Sequence, residues 1–188
     1  MSDIISVPHP TLRQKAKTIT RVDIKLKQNI KLLLENLISQ HDPDGVGLAF
    51  PQINKSIRGF AFRVGEHQEP HGIRVFLNPS IVAHSRKTSL GDDPLQPYLE
   101  GCLSVPNLWG PVPRFEWLDL HYQVLSNNQL VDRQDRFGGF LARGMQHELD
   151  HLDGVIFTDH ILQHNLPIYF SQNGRMKEFD DRELMSSF

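Results

Sequence analysis

The stretch "QHELDHLDG", Gln146–Gly154, carries His147 and His151 four positions apart, with Glu148 beside the first. On an α-helix, positions i and i+4 share a face, so both imidazoles project into one space. A divalent metal needs donors converging within about 2.0–2.3 Å, and paired histidines on one helical face supply two of them. Glu148 lies about 100° round the helix from His147. That is a poor position for binding the same ion and a good one for reaching a water beside it, as general base and then general acid. The His-Glu-x-x-His pattern is shared by many zinc peptidases. A plainer reading of the same residues is a solvated helix face, with Glu148, Asp150 and Asp153 as its charges.

The surrounding pattern supports the helix. Phe140, Leu141, Met145, Leu149 and Leu152 form an apolar stripe over Phe140–Leu152, and Gly154 suits the C-cap. Upstream, Val22–Ser39 is the clearest other helix, with Ile30, Leu33, Leu34, Leu37 and Ile38 at the 3.6 period. Pro43 and Gly45 end it. Short runs rich in Ile, Val and Phe read as strands at Ile57–Val64, Ile73–Asn78, Ser80–Ala83, Leu99–Val105 and Trp117–Leu125. Gly65–Gly72 reads as a hairpin loop, His84–Pro97 as a longer surface loop, and "SNNQ" as a turn before Leu130. Strands in the middle with a helix on each side argue for an α+β fold. Small, mostly antiparallel sheets would pack around a central helix carrying the histidine motif, with N-terminal helices before them.

The chain has 188 residues, 39% apolar and 22% charged, with net charge −2. This suits one soluble domain, 1–188, of which about 168–188 is a polar tail. No block of Lys or Arg suggests a nucleic-acid groove or a membrane patch. No signal peptide and no transmembrane run is read. A single cysteine fits a reducing, cytoplasmic compartment and draws attention to Cys102.

Two further segments carry possible chemistry. In "EGCLS", Glu100–Ser104, the thiol follows Gly101, which permits close backbone approach. A thiolate would complete a His2Cys set with an open fourth position; buried filler is the ordinary fate of a lone cysteine. "GVGLAFPQ", Gly45–Gln52, is too short and glycine-rich for a helix, and the Gln52 amide could stabilise an oxyanion; read alone, the segment is a turn.

Taken together and in this order, "GVGLAFPQ", "EGCLS" and "QHELDHLDG" resemble the motifs of the peptide deformylase family: Gly-x-Gly-Leu-Ala-Ala-Pro-Gln, Glu-Gly-Cys-Leu-Ser and Gln-His-Glu-x-Asp-His. "HPTLRQKA" near the start and "PVPR" at Pro111–Arg114 extend the likeness. The resemblance implies an enzyme that hydrolyses the N-formyl group from the N-terminal methionine of new polypeptides and nascent chains. It implies Cys102, His147 and His151 as ligands of one divalent metal per chain, Fe2+ in the first place, with Zn2+, Ni2+ or Co2+ able to substitute. Hydroxide at the metal would attack the formyl carbon, with Glu148 as the proton carrier. Gln52 and the Leu103 N–H would hold the oxyanion. Gly45, Val46 and Gly47 would line an extended substrate, and Glu100 and Arg114 would pair to steady the cysteine loop. Asp150 and Gln146 read as structural.

The sequence departs from the family pattern at three places. Phe50 stands where the family usually has Ala, so the loop must make room or turn the ring outward, at a cost of ~1–3 kcal/mol if unrelieved. Arg143 and Gly144 replace pocket residues that are aliphatic or Cys in many bacterial members, and "AR" looks like the organellar-type subclass. Arg143 is expected along the rim with its head in water and, with Gly144, to alter the substrate pocket. No basic C-terminal helix is evident, which makes ribosome docking doubtful. The rival readings are a zinc peptidase, with His160 or His164 as third ligand, and a deformylase-like binding module without activity.

Overall fold

A computed structural model describes residues 4–41, 45–65, 72–93, 96–172, 174–179 and 181–188. Helix α1 (Ile24–Ile38) is capped by the Asp23 side chain, which accepts from the Leu26 N–H. Strand β1 (Gly47–Ala49) opens a five-stranded antiparallel sheet that continues through β2 (Gly59–Arg63), β3 (Ile73–His84), β8 (Trp117–Ser126) and β9 (Gln129–Gly138). The two short runs expected at Ile73–Asn78 and Ser80–Ala83 are one strand. Pro79 has no N–H to give to a ladder, and the register shifts between Leu77 and Ser80 where Asn78 takes a positive φ of 48°.

The cysteine segment is a hairpin, not the single strand expected over Leu99–Val105. β5 (Leu99–Cys102) turns at Leu103–Ser104 into β6 (Val105–Pro111), with a register shift between Gly101 and Cys102. Within the loop expected over His84–Pro97, β4 (Thr88–Ser89) pairs with β7 (Arg114–Phe115). Gly65–Gly72, expected as a loop, lies mostly outside the described residues.

Helix α2 (Gly139–Asp153) packs its apolar stripe on the five-stranded sheet, where Ala142, Met145, Leu149 and Leu152 meet Phe60, Phe62 and Phe76. It ends at Gly154, which has φ 75° and lies so close to the backbone of Arg13 that a Cβ would collide with it. After α2 come α3 (Phe157–His164), the hairpin β10 (Tyr169–Gln172)–β11 (Arg175–Glu178), and α4 (Arg182–Ser186). The polar segment 168–188 is thus tied into the domain. β10 pairs with β6, which gives a second sheet in the order β11-β10-β6-β5. Phe170, Phe179 and Met185 join Leu12, Val105, Ile161 and the Cys102 side chain in one apolar cluster. Among the described residues, no helix is long and apolar enough to cross a membrane.

Candidate active site

Helix α2 fixes the two imidazoles, and the β5–β6 hairpin brings the thiol to them. The ligand atoms offered by Cys102, His147 and His151 all lie within 4.8 Å of one another, with Cys102 Sγ 3.2 Å from His151 Nε2. His147 directs Nδ1 to Glu100 Oε2 at 3.2 Å, which leaves its other nitrogen for the thiol side. Partnering of a ligand histidine's second nitrogen by a carboxylate is the usual way its ring is oriented. Burial alone would raise the thiol pKa, but His151 and His147 beside it lower it well below the usual value. A cysteine sulfur whose neighbours favour its ionisation, together with two imidazoles, fits a borderline-soft divalent cation. His160, the peptidase-type alternative, is committed elsewhere: its Nε2 meets Asp150 Oδ2 at 2.8 Å.

Glu100 anchors this arrangement. Arg114 grips it through two hydrogen bonds of 3.0 and 2.8 Å, and Arg114 also donates to Asp150 at 2.6 Å. Burial would push the Glu100 carboxyl up, yet Arg114 and His147 hold it well below the carboxylate range. The Glu100–Arg114 pair therefore forms as expected, and Asp150 links it to His160. Gln146 is structural: its amide brackets the backbone of Phe115, accepting at 2.9 Å and donating at 3.0 Å.

Glu148 is 4% exposed. Burial pushes its carboxyl up to about 7, against the opposing pull of His147 and His151. Its Oε2 has no hydrogen-bond partner among the described residues. Gly47 of β1 sits against it so closely that a Cβ there would lie 2.8 Å from the Glu148 Cδ. The requirement for glycine at 47 is thus steric. Gln52 is held by the Ala49 N–H, which donates to its Oε1 at 2.7 Å, and its Nε2 donates toward Ser104 Oγ at 3.3 Å and Cys102 Sγ at 3.6 Å.

These groups face a cavity of about 640 Å3 whose walls include Gly45, Val46, Gly47, Leu103, Arg143 and Gly144. It lies between two sheet margins, β1 at the end of the five-stranded sheet and β5 at the end of the four-stranded one. A cleft flanked by strand edges can accept a further extended chain by backbone pairing.

One expectation is corrected, and one of two alternatives is decided. Arg143 does not lie on the rim with its head in water; it is 5% exposed. Its guanidinium donates to Val112 O at 2.6 Å, Ser89 O at 2.9 Å and Glu100 Oε1 at 3.2 Å. Those acceptors offset the desolvation that would otherwise forbid burial. Phe50 neither turns outward nor crowds the cleft. It is fully buried among Leu33, Leu37, Leu48 and Leu77 on the α1 side. Gly59 makes its room: a Cβ there would stand 3.1 Å from Phe50 Cε2.

Residue-by-residue reading of the sequence did not single out the aromatic walls of the cleft, Phe62, Tyr98, Trp109 and Phe140. The available signal was pairing of large with absent side chains. Trp109 lies on Gly101, where a Cβ would stand 2.6 Å from its ring, and Phe62 lies on Gly144.

An α+β frame with a cysteine sulfur, two imidazoles and a buried carboxylate whose Oε2 has no hydrogen-bond partner among the described residues, all in one cleft, defines a metal-dependent hydrolase. The family model for polypeptide deformylase matches residues 1–166. A peptide deformylase of Rhodopirellula baltica is 39% identical over 176 residues, covering 94% of this chain and 79% of the relative. One from Agrobacterium fabrum is 36% identical over 158 residues, covering 84% and 85%. Among solved structures, peptide deformylase from Thermotoga maritima superposes with a TM-score of 0.71 at 33% identity, covering 85% of this chain and 97% of that one. A plant peptide deformylase gives 0.68 at 30%, covering 84% and 78%. The chain belongs to the peptide deformylase family, a family of metal-dependent enzymes.

Proposed function

We propose that this chain removes the N-formyl group from the N-terminal methionine of newly made polypeptides, releasing formate. The observation that carries the reading is the meeting, in one cleft between two strand edges, of the Cys102–His147–His151 donor set and the buried Glu148 carboxylate. The substrate lies extended along Gly45, Val46 and Gly47, paired like an added strand. A divalent ion held by Cys102, His147 and His151, Fe2+ first and Zn2+, Ni2+ or Co2+ as substitutes, supplies a Lewis acid that lets water ionise near neutral pH.

Glu148 takes a proton from the attacking water and returns it to the amine nitrogen as the C–N bond breaks. Water adds to the formyl carbon, and formate and a free N-terminus leave. Gln52 Nε2 and the Leu103 N–H donate to the oxygen that gains negative charge, where one such donor is worth about 10²–10³ in rate. Glu100 and Arg114 hold His147 and the cysteine hairpin in place. Residues 1–188 act as one catalytic unit, and nascent chains are the substrates.

The test is protein purified without oxygen, loaded with Fe2+ or Ni2+ and given a formyl-Met tripeptide. Formate and free amine should appear in equal amounts. Cleavage at an internal peptide bond without formate would establish the peptidase reading instead, and metal-loaded protein that releases neither would favour the binding module.

A further inference from the structure

We propose that the outer edge of β9 is the docking site for a second copy of this chain, joined antiparallel about a two-fold axis at Gln134. The two five-stranded sheets then run on as one. β9 (Gln129–Gly138) is the last strand of its sheet, at the opposite end from β1, the margin that flanks the cleft. It pairs with β8 without a register break, from Trp117↔Gly138 to Ser126↔Gln129. A strand edge left open over such a length is a template for another strand. Natural edges are commonly blunted by a bulge, a proline or lysines, and β9 has none of these.

The hairpin turn decides which backbone groups face outward. Asn127 and Asn128 both take positive φ, 47° and 63°, as in the two-residue turn of a tight hairpin. The pair that flanks such a turn, Ser126–Gln129, is hydrogen-bonded, and bonded pairs recur at every second residue from there. Residues 131, 133, 135 and 137 therefore direct N–H and C=O to β8, while 130, 132, 134 and 136 turn theirs away from it. Asp132–Arg136 are exposed throughout. A side chain covers one of the outward carbonyls: Arg133 Nη1 donates to Asp132 O at 3.0 Å.

The charges name the occupant. The run "DRQDR", Asp132–Arg136, is complementary to its own reversal. With the axis at Gln134, Asp132 opposes Arg136 of the second copy and Arg133 opposes Asp135, each twice over. The two Gln134 amides meet on the axis, where each can donate to the other. An axis at 132 or 135 instead sets carboxylate against carboxylate, and one at 133 or 136 sets guanidinium against guanidinium. An axis between residues matches outward backbone groups with inward ones. Like charges directly opposite destabilise an antiparallel pair and opposite charges stabilise it, so one register is selected. Charges already in place extend the pattern. Arg136 holds Asp119 of β8 at 2.7 and 2.8 Å, so charges alternate from Asp119 through Arg136 to Asp132 of the second copy. On the other face Arg74 meets Asp135 at 3.3 Å. Arg133 has no carboxylate partner among the described residues and gains one from the second copy.

The experiment is sedimentation equilibrium of the full chain from about 1 to about 500 μM, in about 0.05 M and about 0.5 M NaCl. The wild-type mass should rise from 21.6 kDa toward twice that value. Association should weaken severalfold at the higher salt, because screening acts on exposed charge pairs. Arg133→Asp alone sets carboxylates opposite each other, and Asp135→Arg alone sets guanidinium groups opposite each other. Each should lower the association constant at least about tenfold. Mixed in equal amounts, the two variants should regain wild-type affinity as a heterodimer, since every carboxylate again faces a guanidinium. A mixture of Asp132→Arg with Arg136→Asp reads the other row in the same way, and serves if Asp135→Arg does not fold. Gln134→Pro removes an N–H that no bond to β8 uses. It should stay at one chain throughout, with wild-type circular dichroism and unchanged kcat/KM for a formyl-Met tripeptide. Three results would overturn the proposal: a wild-type mass of one chain at every concentration, a dimer indifferent to these substitutions, or mixtures no better associated than their components. None of them bears on the deformylase reading, which concerns the far end of the sheet.

Discussion

The two walls of the cleft are held by different physics. On the wall carrying Cys102, His147 and Glu100, the Asp150, Arg114 and Glu100 charges meet partners at defined distances, and the chain from Asp150 through Arg114 and Glu100 to His147 fixes orientation. On the wall carrying Phe62, Gly144 and Gly47, apolar volume meets missing volume. The first wall should fail abruptly, because a buried charge without its partner is costly. The second should fail gradually, because packing defects scale with the volume changed. Chemistry that needs fixed angles sits on the first, and tolerance of substrate shape sits on the second.

The hardest test of that contrast is Cys102→Ala. It should abolish stoichiometric metal binding, measured by elemental analysis on protein purified without oxygen, and turnover with it. Glu148→Gln should retain the metal and lose up to about 10⁴ in kcat, the upper range for a general acid–base group. If it lost the metal as well, Glu148 would belong to the ligand set. Arg114→Met leaves Glu100 buried with fewer partners and should cost about 3–5 kcal/mol in urea unfolding. A cost below 1 kcal/mol would mean that the polar wall is not charge-locked. Phe50→Leu samples the volume-filled regime away from the cleft. It should cost about 1 kcal/mol of stability and leave kcat/KM for formyl-Met unchanged, because Phe50 faces α1 and not the cavity.

Legibility in the sequence follows the same division. The histidine helix is readable because its period, its cap and its ligand spacing are local properties of one segment. Cys102 is readable as the chain's only thiol within a recognisable motif. The fate of Arg143 is not readable, since its acceptors come from residues 89, 100 and 112 on separate segments. A sequence shows the charge and hides the partners. Phe50 and Gly59 form a fit across nine positions that no periodicity announces, and Phe62 meets Gly144 across far more. Strand β9 escapes notice because "QLVDRQDRFG" is mostly polar, with the charged run Asp132–Arg136 at its centre. It closes the five-stranded sheet at its margin with most of its residues exposed. The hairpin β10–β11 is equally polar in "RMKE", and what fixes it is pairing with β6, a strand some sixty positions earlier.

The segment that precedes the first helix carries a consequence for the order of synthesis. The Ile5 N–H donates to Gln52 O and the Val7 N–H to Ser104 O, so these early residues strap together the two motifs that supply the amide and the thiol. They leave the ribosome before the residues they pair with and can find their last partner only when residue 104 has followed. The helix with the histidines comes later still. Closing such distant contacts is slow relative to local ones, and the donor set comes together only near the end of translation. Until residue 102 is made the chain has no thiol, and until residue 151 is made the donor set is incomplete. The gathered donor set therefore belongs to the finished fold.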